Sequence, residues 1–372
     1  MEPDKLEKLR SNIHKTGFVL EFQVSKILQE HKWNVINNRY YIDDIQRTVR
    51  EIDIIAYKSI GIKDIKYFTT LIISCKKSDE KFWAFLTKNL YQSDPNIDFY
   101  PIFNWSNDRV LDYMLEKHDW KNKLIEEIEK KGFLKEIYSI PSQVFAFQEM
   151  SKKNLKPQDD RSIFNSIESL IKAQSYELLC LGDRKKEKRF YNFNLISIAD
   201  TELIEVDLEF PDFTLQEISG TKYLNRYIVN QKDSFFRIDF IKFDAFDKYL
   251  KNYDKLHNWN RTFYPKLIDK FYEDIFDSEE KTELQMDQIK KNIIWYLNHL
   301  IRHTHSEIEE IEFFYSPREK LLEIELSAKE TIGEIIITFL NESDKAKTRM
   351  SKTLNEYFRY TGKFEFSSCV PF

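Results

Sequence analysis

The sequence predicts an α/β protein with two domains. Its 372 residues exceed the usual size of one domain. Apolar residues make up 42% of the chain and charged residues 32%, a balance that favours a packed core over disorder. Near the N-terminus, one segment with helical periodicity precedes three segments with strand composition, and this order predicts a sheet flanked by helices.

The first predicted helix covers residues 16–30, TGFVLEFQVSKILQE. Its apolar residues, from Leu20 to Leu28, recur at the spacing of one helix face. At 100° per residue, Glu21 lies about 20° from Leu28 on the helical wheel. We therefore expect Glu21 to border the buried face of this helix.

Three strands and a second helix follow. The predicted strands are 33–42, 51–57 and 66–75, which are rich in β-branched and aromatic residues. Residues 81–91 predict a helix. The first part of the chain thus has the order helix, three strands, helix.

The middle of the chain predicts three more helices and three more strands. The helices are 121–131, 162–179 and 246–256. The strands are 190–199, 202–209 and 236–243, and the first two form a hairpin around Asp200 and Thr201. These elements could extend the first sheet or build a second α/β unit; we expect the extension.

Near 256–260 the mixed pattern of helices and strands gives way to two long helical stretches. This change predicts a domain boundary, with domains at 1–256 and 257–372. The second domain is predicted to be α+β. Its helices are 260–276, 279–303 and 342–360, and its strands are 309–315, 319–328, 333–340 and a last one after 360. The acidic run from Asp269 to Glu283 would repel DNA, so we expect this domain to bind a protein partner or a second copy of the chain.

Composition excludes several classes of function. Glycine occurs only 7 times and no glycine-rich phosphate loop is present, which argues against P-loop and Rossmann sites. A net charge of −5 excludes a broadly basic surface for nucleic acid but leaves room for a local basic channel.

Cysteine usage and apolar segments indicate the cellular compartment of the protein. The three cysteines have no metal-binding spacing and one stays unpaired, as is usual in a reducing cytoplasm. The first residues, MEPDKLEKLR, lack the apolar segment of a signal peptide. No apolar run is long enough to span a bilayer. We therefore expect a cytoplasmic protein without a membrane partner.

Side-chain alternation along strands brings reactive residues together. Glu51 and Asp53 share one face of their strand, and Ser74 and Lys76 share one face of the next. If the two strands pair, Asp53, Ser74 and Lys76 meet at one sheet edge, and Glu21 can reach them from the flanking helix. Phosphodiester hydrolysis uses such a set, because Mg²⁺ takes one or two carboxylates and a lysine can stabilise the transition state.

This arrangement resembles the PD-(D/E)xK restriction-endonuclease-like nuclease superfamily. The matching residues are Glu21 in TGFVLEFQVSKIL, Asp53 in REIDIIAY and Lys76 in LIISCKKSDEKFWAF, and the match covers about residues 17–85. The resemblance implies a restriction-endonuclease-like core, with a mixed sheet flanked by helices, and cleavage of DNA with Mg²⁺ or Mn²⁺. It further implies that Asp53 is the central metal ligand, Glu21 an accessory ligand, the Cys75 carbonyl another ligand, and Lys76 the catalytic lysine.

The sequence departs from the family pattern at Ser74. The family has Asp or Glu two residues before the lysine, and a neutral hydroxyl is a weaker ligand for Mg²⁺ than a carboxylate. Either Glu51 or Glu21 supplies the missing charge, as a metal ligand and catalytic residue, or the site is weakened. Glu51 is the nearer candidate in sequence because it lies on the same strand face as Asp53.

Cationic residues are candidate contacts for DNA phosphates. They are Lys77 beside the catalytic lysine, Arg39 at the end of the first strand, and Arg184, Lys185 and Lys186 in the stretch RKKEKR. A solvated loop is the alternative interpretation of that stretch.

The sequence therefore predicts a metal-dependent endonuclease that cleaves DNA, with a role in bacterial defence against foreign DNA suggested by analogy. A second hypothesis is a degenerate nuclease fold that binds nucleic acid or a protein without cutting. Ser74 favours it, while Glu21, Asp53 and Lys76 oppose it. A nuclease that acts on RNA is a third hypothesis.

Overall fold

A computed structural model describes most of the chain, in two compact units. The described residues are 2–43, 46–91, 93–117, 119–184, 187–209, 213–304, 306–328 and 332–368. The units are Met1–Tyr264 and Pro265–Phe372. The division falls inside a helix, a few residues beyond the boundary expected near 256–260.

The first unit contains helices on a large mixed sheet and a smaller second sheet. Its helices are α1 (Pro3–His14), α2 (Gly17–Glu30), α3 (Arg109–Glu116), α4 (Asp119–Lys130), α5 (Gly132–Tyr138), α6 (Arg161–Arg184) and the greater part of α7 (Phe246–Glu273). Its strands are β1 (Asn34–Ile42), β2 (Val49–Ile62), β3 (Ile65–Lys77), β4 (Lys81–Lys88), β5 (Phe103–Ser106), β6 (Gln143–Ser151), β7 (Lys188–Asp200), β8 (Leu203–Asp207), β9 (Thr214–Ile218), β10 (Gly220–Val229) and β11 (Lys232–Lys242).

The large sheet has seven strands, in the order β1-β2-β3-β7-β11-β10, and β5 pairs with β7 beside this path. Neighbours from β1 to β3 are antiparallel. Strands β3, β7 and β11 are parallel to one another, and β10 is antiparallel to β11. The expected extension of the first sheet holds for the predicted strands 190–199 and 236–243, which form β7 and β11, but the strand predicted at 202–209 forms β8 in the smaller sheet. The α/β class is confirmed.

The centre of the large sheet is buried because helices cover it. Strand β3 is buried along almost its whole length, which is typical of a central strand whose two faces are covered. Helix α2 packs on β1, β2 and β3 and buries Leu20, Val24 and Leu28. Helix α6 contributes Ile163 and Ile167 to a core cluster on the same sheet.

Two predictions about the first unit are wrong. Residues 81–88 form strand β4 instead of a helix, because consecutive Trp83, Ala84 and Phe85 are all buried, which a one-faced helix does not allow. The expected hairpin at Asp200 and Thr201 is absent. Strand β7 lies in the large sheet, whereas β8 joins β4 in a four-stranded sheet with the order β6-β4-β8-β9.

The second unit is α+β, as predicted. It contains α8 (Glu279–Leu300), α9 (Glu334–Glu342) and α10 (Asp344–Phe358), and a three-stranded sheet of β12 (Glu310–Ser316), β13 (Leu321–Ser327) and β14 (Lys363–Ser368). The strand predicted at 333–340 is wrong. Those residues form α9, which buries Ile336 and Leu340, four residues apart, on one helix face.

No helix in the described ranges combines the length and the apolar character that crossing a membrane requires.

Candidate active site

Asp53 lies where the pairing of two strands ends. The ladder between β2 and β3 runs to the pair Ile54–Ile73. One residue beyond it, the Oδ2 atom of Asp53 accepts the backbone N–H of Cys75 at 2.6 Å. A side-chain carboxylate thus takes the place of the next backbone acceptor, which fixes Asp53 at the point where β2 and β3 separate.

Ser74 and Lys76 converge on the same oxygen of Asp53. The Ser74 hydroxyl donates to Oδ2 at 3.3 Å, and the Lys76 Nζ atom lies 3.5 Å from Oδ2. Ser74 is fully buried, while the side chains of Asp53 and Lys76 retain 20% and 27% of their exposure. The structure therefore brings these three residues together at one sheet edge and leaves the carboxylate and the ammonium open to solvent.

Glu21 reaches this cluster from α2. Burial is the largest cause that raises the pKa of the Glu21 carboxyl to about 7; repulsion from Asp53 and, more weakly, Glu51 adds to it, and Lys76 acts in the opposite direction. The carboxyl therefore keeps its proton to a much higher pH than an exposed glutamate does. A group with this pKa beside a second carboxylate is a common feature of sites that bind a cation or move a proton.

The side chain of Glu51 is held by a residue of β1. Its carboxylate is exposed and accepts a hydrogen bond from the Asn38 side chain. Asp53 raises the pKa of Glu21 more strongly than Glu51 does. Glu21 therefore interacts more strongly with Asp53 than with Glu51.

Asn38, which the motif spacing does not single out, shapes this edge of the sheet. Its φ of 53° places it in the left-handed region, and the register of β1 and β2 skips it. Asn tolerates this backbone conformation better than other residues with side chains. The Asn37–Asn38 pair inside a strand is the signal that could have marked this position.

Cys75 takes part in the site through its backbone N–H and not through its thiol. Burial is the main cause that raises the pKa of the thiol well above its usual range, and the charges of Asp53 and Glu21 add to it. The thiol is therefore neutral at pH 7 and serves as a packing group, while the residue's N–H holds Asp53.

The oxygen donors at this edge fit Mg²⁺ or Mn²⁺. They are the carboxylates of Asp53 and Glu21, the Ser74 hydroxyl and the Cys75 carbonyl, all of the hard type that Mg²⁺ prefers. Among the residues that the structure describes, no three His, Cys, Asp or Glu side chains form a metal cluster. Two carboxylates suffice for an ion that keeps several waters, and a cation would relieve the repulsion that raises the pKa of Glu21.

Two of the predicted DNA contacts are engaged in ion pairs. The Nζ atom of Lys77 lies 2.7 Å from Asp200 and 3.8 Å from Asp79. The Nε atom of Arg39 donates to Glu177 at 3.2 Å. A phosphate would have to compete with these carboxylates, so neither cation is placed for DNA without rearrangement.

The basic stretch RKKEKR is only partly described. Two residues and one side chain lie outside the described part: Lys185, Lys186 and the side chain of Arg184. Further along, Lys188 binds Asp64 at 2.8 Å and Asp108 at 3.0 Å. That part of the stretch stabilises the strand end through ion pairs.

Comparisons of the chain with protein-family models, with curated proteins and with solved structures found no match.

Proposed function

We propose that this protein is a Mg²⁺- or Mn²⁺-dependent nuclease that cleaves DNA phosphodiester bonds at the edge formed by β2, β3 and α2. The observation that carries the proposal is the convergence of the Cys75 N–H, the Ser74 hydroxyl and the Lys76 ammonium on one oxygen of Asp53. Glu21, with its pKa of about 7, completes the set.

Each residue has a definite role in this proposal. Asp53 and Glu21 hold the divalent ion, and the Cys75 carbonyl is a further ligand. When bound, such an ion lowers the pKa of a coordinated water and offsets charge on the phosphorus centre. The Lys76 ammonium orients the attacking water or stabilises the negative charge that develops on the phosphate oxygens.

The order of elements supports the proposal. Helix α2 carries Glu21, β2 carries Asp53 and β3 carries Lys76, in the order that the resemblance to PD-(D/E)xK nucleases implies. We propose a restriction-endonuclease-like core in the first unit on this ground. We further propose that the second unit contacts a protein partner or a second copy, and that the enzyme acts in the cytoplasm against foreign DNA.

Ser74 favours a second candidate function, a nuclease fold that binds nucleic acid or a protein without cutting. The buried hydroxyl replaces an anion beside Asp53 and donates a hydrogen bond to it. A site with one carboxylate fewer binds a divalent ion less tightly. The retained Glu21 and Lys76 argue for cutting, since a fold that only binds has no chemical need of both beside Asp53.

The test is digestion of plasmid DNA, phage genomic DNA and RNA by the purified full chain with Mg²⁺ or Mn²⁺, with EDTA as the metal-free control. We expect metal-dependent cleavage of DNA that Asp53→Asn abolishes. Cleavage that persists in Asp53→Asn at equal purity would overturn the assignment. Absence of cleavage under every metal, with nucleic-acid binding retained, would establish the non-cutting function.

A further inference from the structure

Two phenylalanines on α2 are exposed beside the candidate active site. Phe18 is 71% exposed and Phe22 is 70% exposed. They lie four residues apart, one above the other on the helix surface, and Glu21 stands between them in sequence. The opposite side of α2 is buried through Leu20 and Leu28. The two rings therefore do not hold the helix on the sheet.

A cation continues this row of side chains. Lys26 follows Phe22 by four residues, and the three residues Phe18, Phe22 and Lys26 span an arc of about 80° on the helical wheel. Lys26 is exposed, and so is Lys15 just before the helix. We call Phe18, Phe22 and Lys26 the α2 ridge. It combines flat apolar rings with positive charge on one surface.

A third exposed ring comes from the strand at the edge of the sheet. Tyr40 on β1 is 60% exposed and is the cross-strand partner of Glu51 on β2. Directly opposed residues on neighbouring antiparallel strands place their side chains on the same sheet face. Glu51 in turn acts on Glu21. Exposed rings thus lie on α2, which carries Glu21, and on β1, the neighbour of the strand that carries Glu51 and Asp53.

The chemistry of this surface indicates its ligand. Single-stranded nucleic acids bind to proteins through bases stacked on aromatic side chains and phosphates close to cations. In a duplex the base faces are already stacked on one another, so exposed rings outside a groove offer it little. A protein partner would also cover apolar side chains, but the adjoining cations and the phosphodiester chemistry proposed next to them favour a polyanion with unpaired bases.

We propose that the α2 ridge binds the unpaired bases and phosphates of a single-stranded nucleic acid and guides that strand to Asp53 and Lys76. The inference rests on the proposed nuclease function and specifies its substrate as a single strand or a single-stranded region. Tyr40 provides a further stacking surface on the strand side of the site.

The test measures binding separately from cleavage. Fluorescence anisotropy of a labelled single-stranded DNA oligonucleotide and of its matched duplex is recorded in EDTA, with the full chain. Phe18→Ala and Phe22→Ala should each weaken single-strand binding by about 5- to 100-fold, the effect expected for one lost stacking ring. Duplex affinity should stay unchanged. Phe22→Trp, which keeps a ring, should restore single-strand affinity.

The matched control is Tyr91→Ala, which removes a ring that is 65% exposed and belongs to neither α2 nor β1, and it should have no effect. Equal losses for single strand and duplex, no loss at all, or no single-strand binding by the parent would each overturn the inference.

A parent dimer that becomes monomeric in Phe18→Ala or Phe22→Ala, measured by light scattering, would instead assign the ridge to contact between copies. If cleavage of DNA is found while the ridge variants bind normally, only this inference fails. If no substrate is cut but the ridge variants lose single-strand binding, the nuclease function fails and the binding surface stands.

Discussion

Asp53 on β2 accepts the backbone N–H of Cys75 on β3 at 2.6 Å, just past Ile54–Ile73, the last ladder pair of the two strands. The carboxylate therefore has two functions at once. It satisfies a backbone donor that the diverging strand leaves without a ladder partner, and it presents negative charge at the sheet edge. Substitutions can separate the two.

Asp53→Asn and Asp53→Ala should differ in stability but not in metal binding. Asn retains an oxygen that can accept the Cys75 N–H, whereas Ala leaves that N–H unsatisfied, at a cost of about 1–3 kcal/mol in the free energy of unfolding. Both remove the charge, and we expect Mn²⁺ affinity to fall at least about 10- to 100-fold in each. Calorimetric titration with Mn²⁺ and urea unfolding provide the two measurements. Asp79→Asn, an exposed carboxylate just after β3, is the control. Parental Mn²⁺ affinity in Asp53→Asn would place the metal elsewhere.

Adjacent lysines on β3 provide a second matched pair. Lys76 lies 3.5 Å from Asp53, whereas Lys77 binds Asp200 at 2.7 Å on the other side of the strand. Lys76→Ala should lower the cleavage rate about 100- to 1,000-fold, the usual loss when one group that stabilises transition-state charge is removed. Lys77→Ala loses a partly exposed ion pair worth about 1 kcal/mol or less and should cut at nearly the parental rate. Initial rates of plasmid cleavage at equal protein and Mg²⁺ are compared. Equal losses in both variants would contradict a specific role for Lys76.

The sequence was informative where structure depends on neighbouring residues. Periodicity locates α2, and β-branched and aromatic content locates β1 to β3, because both signals depend on residues only a few positions apart. Prediction from the sequence failed where residues far apart in the chain determine the secondary structure or the strand pairing. KFWAFLTK has no local feature that separates strand from helix, and its pairing with β6 and β8 makes it β4. The strands on both sides of Asp200 join different sheets, which a short turn between two strand patterns does not reveal.

Local propensity also misled at α9. The run of isoleucines before Thr338 favours a strand, yet the segment is helical because Ile336 and Leu340 are buried on one face while Ile335 stays 85% exposed. At the site, alternation was enough to bring Asp53, Ser74 and Lys76 together. It could not show that Asn38 would engage Glu51, since that contact requires the left-handed backbone of Asn38.

Replacing Ser74 by Asp restores the acid that the family pattern has at this position. The side chain at 74 is fully buried and bonded to Asp53, so a second carboxylate there should destabilise the metal-free protein through like-charge repulsion and burial. Saturating Mn²⁺ should reverse this. We expect the rise in Tm on adding Mn²⁺ to be larger in Ser74→Asp than in the parent.

Ser74→Asn is the matched control, because it has nearly the same shape as Asp without the charge. Thermal melts with and without Mn²⁺ compare the three proteins. If Ser74→Asp gains no more from Mn²⁺ than Ser74→Asn does, position 74 does not face the ion. If the parent does not cut and Ser74→Asp does, the natural protein is the non-cutting form of this fold.

Glu21 should make the stability of the metal-free protein fall as pH rises through neutrality. Its pKa is about 7 in the folded protein, against an ordinary value of 4.5. Between these two values the folded protein retains a proton that the unfolded chain has already released, so each increase in pH favours unfolding. Glu21→Gln cannot ionise. In EDTA its Tm relative to the parent should therefore increase from about pH 5 to about pH 8, and the increase should level off above the folded pKa.

A divalent ion should reverse the sign of this difference, because it favours the ionised carboxylate of Glu21 and has no such group to bind in the Gln variant. With Mn²⁺ at about pH 8 we expect the parent to be stabilised and Glu21→Gln to respond much less. Glu30→Gln, an exposed acid on the same helix, controls for a general effect of removing a negative charge. A Tm difference between Glu21→Gln and the parent that stays constant from about pH 5 to about pH 8 would show that Glu21 ionises normally, and that it does not share the site of Asp53.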